Sequence, residues 1–297
     1  MSKNLRGSVI LLLTAIIWGF AFVAQSEAME KIGALTFQAA RMLLAVAVLL
    51  PASLISHTIR KKSDSPAKKF LSRKTFHAGL ICGVLLCAAS VLQQIGISYT
   101  TVGHAGFLTA LYILIVPILG LFLGKRVPVR LWFCVVLAFA GLYLLCMTNE
   151  GFSMSKGDVL VTFSALIFSL HIMAVDKFAA ELDGVKVSMI QMSTAGVISL
   201  VCAFVFEEPN LSDIIASWQP VTYAGVLSCG VAYTLQIIGQ KYARPTVASI
   251  IMSLESVFAV IGGALILSQI PSIYEAAGCA LMFAATVISQ LPGRKKC

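Results

Sequence analysis

The sequence predicts an all-α integral membrane protein: ten transmembrane helices arranged as two five-helix inverted repeats, with both termini cytoplasmic. Three observations predict it. The 297 residues are 59% hydrophobic and only 12% charged, with mean hydropathy +0.92, too little charge for a soluble domain of this length. Ten apolar stretches each approach the ~20 residues that cross a bilayer as helix. The stretches fall into two sets of five with matching landmarks. Five is odd, so the second set must enter the membrane from the opposite side, as in many carriers with a midplane site.

In order, the spans are Gly7–Gln25, Ile32–Ser56, Phe76–Ser98, Gly103–Gly124, Leu131–Met147, Val159–Val175, Val187–Phe206, Tyr223–Gln240, Val247–Leu267 and Ile273–Leu291. The first follows Lys3 and Arg6. It has some features of a signal peptide, with Ser26-Glu27-Ala28 as a cleavage site, but it is long for one and its removal would break the repeat. Charged residues separate the rest: Arg60, Lys61 and Lys62 after the second, Lys125 and Arg126 after the fourth, Asp176 and Lys177 after the sixth, Lys241 and Arg244 between the eighth and ninth. With the N-terminus placed in the cytoplasm, every Lys and Arg except Lys31, Lys156 and the intramembrane Arg41 falls on the cytoplasmic side, the asymmetry that fixes membrane orientation. The net charge of +9 is thereby a membrane-facing property. No aromatic-interleaved basic patch accompanies it, so nucleic acid is not an expected partner. The one longer loop, His57–Thr75, is basic and broken by Pro66; it reads as a topology anchor or as a linker touching anionic lipid.

Weak internal identity supports the repeat. Gly7-Ser8-Val9-Ile10-Leu11 aligns with Gly157-Asp158-Val159-Leu160-Val161, and Trp18-Gly19-Phe20 with Phe168-Ser169-Leu170. Arg41 falls beside Gln191, Gly96-Ile97-Ser98-Tyr99 beside Gly239-Gln240-Lys241-Tyr242, and Phe107 to Tyr112 beside Ile250 to Glu255. The expected division is 1–149 and 150–297.

Several segments resemble the EamA-like family of the drug/metabolite transporter superfamily. They are Trp18-Gly19-Phe20-Ala21-Phe22-Val23, Ala39-Ala40-Arg41-Met42-Leu43-Leu44-Ala45, Gly106 to Tyr112 with Pro117, and Pro245 to Ser249 with Leu254-Glu255-Ser256-Val257-Phe258-Ala259. The resemblance covers almost the whole chain. It implies a ten-helix carrier of small organic molecules, often outward, with a cavity lined by spans one, three, four, six, eight and nine. Ser256 stands where the family often has Pro, and Lys125 and Gln269 where it often has Glu.

Only Arg41 and Glu255 are charged and deep within spans, and a charge at the bilayer centre needs a partner or a wet cavity. Glu255 is read either as a substrate-amine or proton-coupling site or as a structural acid. Arg41 is read either as a carboxylate anchor or as a structural charge. The amides of Gln93, Gln94, Gln236 and Gln240 suit a zwitterion or helix-to-helix bonding. Trp18, Phe22, Phe107, Tyr112 and Tyr233 suit an apolar cavity wall or core packing. His104 and His171 are titratable or are hydrogen-bonded fillers; Asp176 reads as a solvated charge beside Lys177. Gly79 with Gly83, Gly120 with Gly124, and Gly262-Gly263 suit close helix contact. Pro117 is expected to bend span four.

The eight cysteines, Cys297 included, form no CxxC or Cys/His metal spacing. No phosphate-binding loop or hydrolytic arrangement is present, so no enzyme activity, cofactor or metal is expected. The expected activity is gradient-driven export of small metabolites, amino acids or related amphipathic compounds, by alternating access. The alternatives are a proton-coupled exporter of toxic organic cations and, from another class, a membrane-embedded lipid enzyme. The expected partners are the small-molecule substrate, the lipid bilayer and a coupling proton; short loops point to a multi-pass protein of a prokaryotic plasma (inner) membrane.

Overall fold

The computed structural model describes residues 3–62, 70–100, 102–145, 155–266 and 271–291. Pro66, Gln269, Cys297 and the side chain of His104 lie outside the described residues. All regular structure within them is helical. We number the helices α1 (Lys3–Met29), α2 (Ala34–Lys62), α3 (Arg73–Ile97), α4 (Val102–Thr109 and Tyr112–Phe122), α5 (Val129–Leu145), α6 (Lys156–Ala179), α7 (Gly184–Phe206), α8 (Trp218–Gln240), α9 (Pro245–Met252 and Glu255–Ile266) and α10 (Ile273–Gln290). Among the described residues nine are long and apolar enough to cross a membrane; α5 is equally apolar but shorter.

The burial pattern is that of a bilayer protein. Large apolar side chains such as Phe122, Phe133, Phe163, Phe204 and Leu265 are exposed, while Gln25, Gln38, Arg41, Gln94, His171, Gln191 and Glu255 are buried. In lipid every backbone polar group must be satisfied internally, so the helix ends carry deliberate caps. Ser155 with Asp158 and Ser272 with Glu275 form capping boxes at the starts of α6 and α10. The α2 start is capped from a distance: Glu207, at the end of α7, accepts the backbone N–H groups of Leu35 and Thr36 at 2.9 and 2.8 Å.

The two halves interlock through equivalent contacts. Gly7 of α1 lies against Gly239 and Tyr242 of the second half, where a Cβ would stand 2.7 Å from the Tyr242 Cβ. In return Gly157 of α6 lies against Gly96 and Tyr99 of the first half, where a Cβ would stand 2.5 Å from the Gly96 carbonyl oxygen. Gly79 and Gly83 let α3 approach α7, and Gly141 lets α5 approach the Gly278 carbonyl of α10. Among the described residues the expected Gly120–Gly124 helix contact is absent: a Cβ at Gly120 would meet Lys125, just beyond the helix end, and one at Gly124 nothing within 4 Å. Gly124 instead ends α4 with φ of 71°, the left-handed conformation that suits glycine at a helix C-terminus.

Two helices expected to be continuous are broken, at the same place in each half. In α4 the break falls at Ala110–Leu111, in α9 at Ser253–Leu254. Both switch to i→i−3 bonding there: Leu111 N–H to Leu108 O at 3.3 Å and Leu254 N–H to Ile251 O at 3.2 Å, then Ile113 N–H to Ala110 O at 3.0 Å and Ser256 N–H to Ser253 O at 3.2 Å. Pro117 does not place the break. It sits further along, inside the helical Tyr112–Phe122 segment, and α9 breaks identically with Val260 at the matching position.

One asymmetry was not anticipated. Residues Tyr223–Ala232 of α8 form a π-helix, whereas α3 is α-helical from Arg73 to Ile97. Gly83 of α3 packs on the Gln191 carbonyl, and Gly225 of α8 packs on the Arg41 carbonyl. From Gly83 to Gly96 is thirteen residues; from Gly225 to Gly239 is fourteen. The π-helix absorbs the one extra residue, as such wider turns do.

Candidate functional site

The broken helices α4 and α9 cross at their breaks. The first residue after each break is Tyr112 or Glu255, the pair that the repeat aligns, and the Tyr112 hydroxyl donates to Glu255 Oε1 at 2.9 Å. Beside them the Ser256 hydroxyl donates to the Gly106 carbonyl at 2.9 Å. Gly19 brings α1 onto this crossing, where a Cβ would overlap Phe258 and stand 2.7 Å from the Glu255 carbonyl oxygen.

A central cavity of about 40 Å³ opens at this point, lined by residues of α1, α2, α3, α4, α6, α8 and α9. It gathers Trp18, Phe22, Arg41, Gln93, Tyr112, Tyr233, Gln236 and Glu255. The sequence reading missed five further lining residues: Gln25, Thr109, Phe168, Ile172 and Ser228. Phe168 and Ile172 were legible as the repeat partners of Trp18 and Phe22; Ser228 enters from the π-helix, which carries no clear sequence signal.

Three expected residues lie elsewhere. Gln94 is fully buried and its amide reaches back to the Gln25 carbonyl at 3.4 Å. Phe107 packs in the core with Ala15, Phe22 and Leu254. His171 is fully buried behind Tyr233, its Nε2 3.2 Å from Gln191 Oε1. Asp176 is not a lone solvated charge either, since it forms an ion pair with Lys125 across the end of α4.

Arg41 and Glu255 are each 3% exposed and line the same cavity. Among the described residues they form no ion pair with one another. Arg41 is held by amide oxygens: Nε donates to Gln38 Oε1 at 2.8 Å, Nη2 donates to the same oxygen, and Nη1 donates to Gln25 Oε1 at 2.7 Å. Phe37 lies under the guanidinium, 5.1 Å from its carbon. Amide oxygens orient a cation without neutralising it, so the cavity wall holds the Arg41 guanidinium and the Glu255 carboxyl as two separate ionisable groups. Two buried groups of lining residues lack partners among the described residues, the Trp18 indole N–H and the Gln236 carbonyl oxygen. Buried polar groups of that kind normally bind a water or a ligand. Among the described residues no three His, Cys, Asp or Glu side chains converge to hold a metal ion.

The comparisons with known proteins agree in kind. The model of the EamA-like transporter family matches twice, over residues 5–147 and 155–290. The chain is similar to an uncharacterized transporter from Archaeoglobus fulgidus, 27% identical over 291 residues, covering 97% of this chain and 87% of that protein. A solved crystal structure superposes with a TM-score of 0.76 at 18% identity, covering 95% of this chain and 96% of that one; at that identity the likeness concerns the fold.

Proposed function

From the premise that this chain belongs to the EamA-like transporter family, and is thus a multi-pass membrane transporter of small molecules, we propose that its cargo is a small amphipathic zwitterion, an amino acid or a related compound. The observation that carries the reading is the placement of a buried arginine and a buried glutamate, not paired with one another, in the wall of one cavity. Arg41 takes the carboxylate, as a guanidinium is suited to do, and Glu255 takes the ammonium group. Gln93 and Gln236 bind polar atoms between the poles, and Trp18, Phe22, Phe168 and Tyr233 cover the apolar part. A cavity of about 40 Å³ has room for only a few waters, so this conformation is contracted and the cargo enters by rearrangement.

The breaks in α4 and α9 supply the hinges for alternating access, since helix ends and i→i−3 turns absorb backbone change. The full reading has ten crossings with both termini cytoplasmic, repeats 1–149 and 150–297, a plasma-membrane location and export as the direction. Glu255 is the coupling carboxylate, exchanging a proton for the ammonium group.

Metabolite profiling inside and outside cells expressing the native chain or Glu255→Gln tests this. The expected result is one class of zwitterion accumulating outside only with the native chain. Unchanged profiles would refute export. A second reading, proton-coupled export of organic cations, draws on Glu255 as the one acid of the cavity wall among the described residues; it leaves Arg41 without a task, and organic cations rather than zwitterions would then appear outside.

A further inference from the structure

A second, larger cavity of about 540 Å³ lies where the ends of α4, α6 and α8 meet the start of α9. Lys125, Arg126, Lys241 and Arg244 line it, with Asp176 as the one acidic residue in its wall among the described residues. Two of the four cations are committed: Lys125 is paired with Asp176, and Lys241 donates to the Leu182 carbonyl. Arg126 and Arg244 are exposed and have no ion pair or hydrogen bond among the described residues. Arg244 also precedes α9 without a side-chain cap, so the first N–H groups of that helix add partial positive charge at the same wall.

A cluster of cations on this side also serves topology. Gln240 indicates something more. It is 3% exposed, lines this cavity, and donates through Nε2 to the Ile172 carbonyl at 3.0 Å, yet its Oε1 has no partner among the described residues. Topology has no use for an unsatisfied buried acceptor. The repeat-equivalent end of the first half has Ile97 and Ser98 where Gln240 and Lys241 stand, so the arrangement belongs to one side only. Gln236, one turn earlier on α8, lines the central cavity, as does Ile172. α8 is therefore a wall shared by both cavities, with one of its glutamines in the lining of each.

We propose that this basin is a second binding site, an access-side station where a zwitterion places its carboxylate on Arg126 and Arg244 and its ammonium group on Gln240 Oε1 before moving to the central cavity. The proposal rests on the zwitterion reading above for its ligand class, not for its location. The site offers a loose version of the central chemistry: unpaired guanidinium on one hand, an unpaired acceptor on the other, in a volume that admits an amino acid where the central cavity does not.

The test is equilibrium dialysis of the full chain in phosphatidylcholine nanodiscs against each of the twenty radiolabelled amino acids singly. The native chain, the double variant Arg126→Gln/Arg244→Gln, Gln240→Leu and Glu255→Gln are compared. Both arginines are exposed, so the double variant is expected to fold, and thermal melting verifies it. At least one amino acid is expected to bind at two sites per chain, falling to one in the double variant and weakening severalfold at that same site in Gln240→Leu. A single site that the double variant leaves intact overturns the access station and spares the central reading. A single site lost in the double variant but untouched by Glu255→Gln sinks the central reading and leaves the station standing. Nanodiscs with phosphatidylglycerol provide the other arm. If the arginines hold only a lipid phosphate, the double variant changes anionic-lipid binding and no amino-acid site, which overturns the proposal. No binding by any of the twenty overturns both.

Discussion

In the first half Trp18, Phe22, Gln93 and Tyr112 face the central cavity; in the second half Phe168, Ile172, Gln236 and Glu255 stand at the matching positions. The shape-giving pairs are alike in kind: aromatic with aromatic, apolar with apolar, amide with amide. The charge-giving pairs are not. Arg41 answers to Gln191, and Glu255 answers to Tyr112. Each half therefore contributes one pole, and the second half adds a π-helix whose extra residue brings Ser228 to the wall. In the proposed reading, near-symmetry supplies a scaffold able to face either side, and the departures from it orient a polar cargo within.

Five substitutions break or sharpen this comparison. The largest expected effect is from Glu255→Gln, which removes the negative pole but keeps an acceptor for Tyr112. Losing a buried charged contact costs about 2–5 kcal/mol, so uptake of a transported zwitterion into proteoliposomes should fall about 30-fold or more, with melting temperature little changed. Its pH dependence should flatten at the same time. Next is Arg41→Gln, which gives the first half the residue of the second. Gln38 and Gln25 remain as polar neighbours, so a smaller loss is expected, about tenfold in KM with less change in kcat, read from concentration-dependent uptake.

A third contrast is steric. Gly19→Ser gives the first half the residue that the second has at Ser169 and forces a Cβ into Phe258 and the Glu255 carbonyl. Overpacking of this kind costs about 1–3 kcal/mol, and reversible unfolding in detergent should show it. Ser169→Gly should cost less, because among the described residues the Ser169 hydroxyl bonds only its own helix, at the Ala165 carbonyl. The smallest effect belongs to Ser256→Ala. It removes the bond to Gly106, an interhelical contact worth about 0.6 kcal/mol, whose counterpart in the first half is the apolar Ile113.

Much of this was legible in the sequence. Helix placement follows from apolar length, because a bilayer imposes both length and composition on whatever crosses it. Arg41 and Glu255 stood out because charge within a span is costly enough to be rare. The repeat alignment already paired Tyr112 with Glu255, though not their hydrogen bond. What stayed hidden depends on which way a helix faces. Gln93 and Gln94 are neighbours, yet only Gln93 reaches the cavity, and in a membrane helix with an apolar outer face and a mixed inner one, periodicity does not separate them. The helix breaks escaped notice because proline drew attention to Pro117, while the real breaks carry no proline. Gly120 and Gly124 matched a contact motif, but Gly120 lies within the helix and Gly124 ends it.

The central claim is that one cavity holds separate poles for a carboxylate and an ammonium group. The most direct measurement is counterflow in proteoliposomes of one transported amino acid against its amine analogue lacking the carboxylate and its acid analogue lacking the ammonium group. The account predicts that the intact zwitterion competes best, that Arg41→Gln abolishes the preference over the amine, and that Glu255→Gln abolishes the preference over the acid. An amine that competes as well as the zwitterion, together with an Arg41→Gln variant that transports normally, would contradict it.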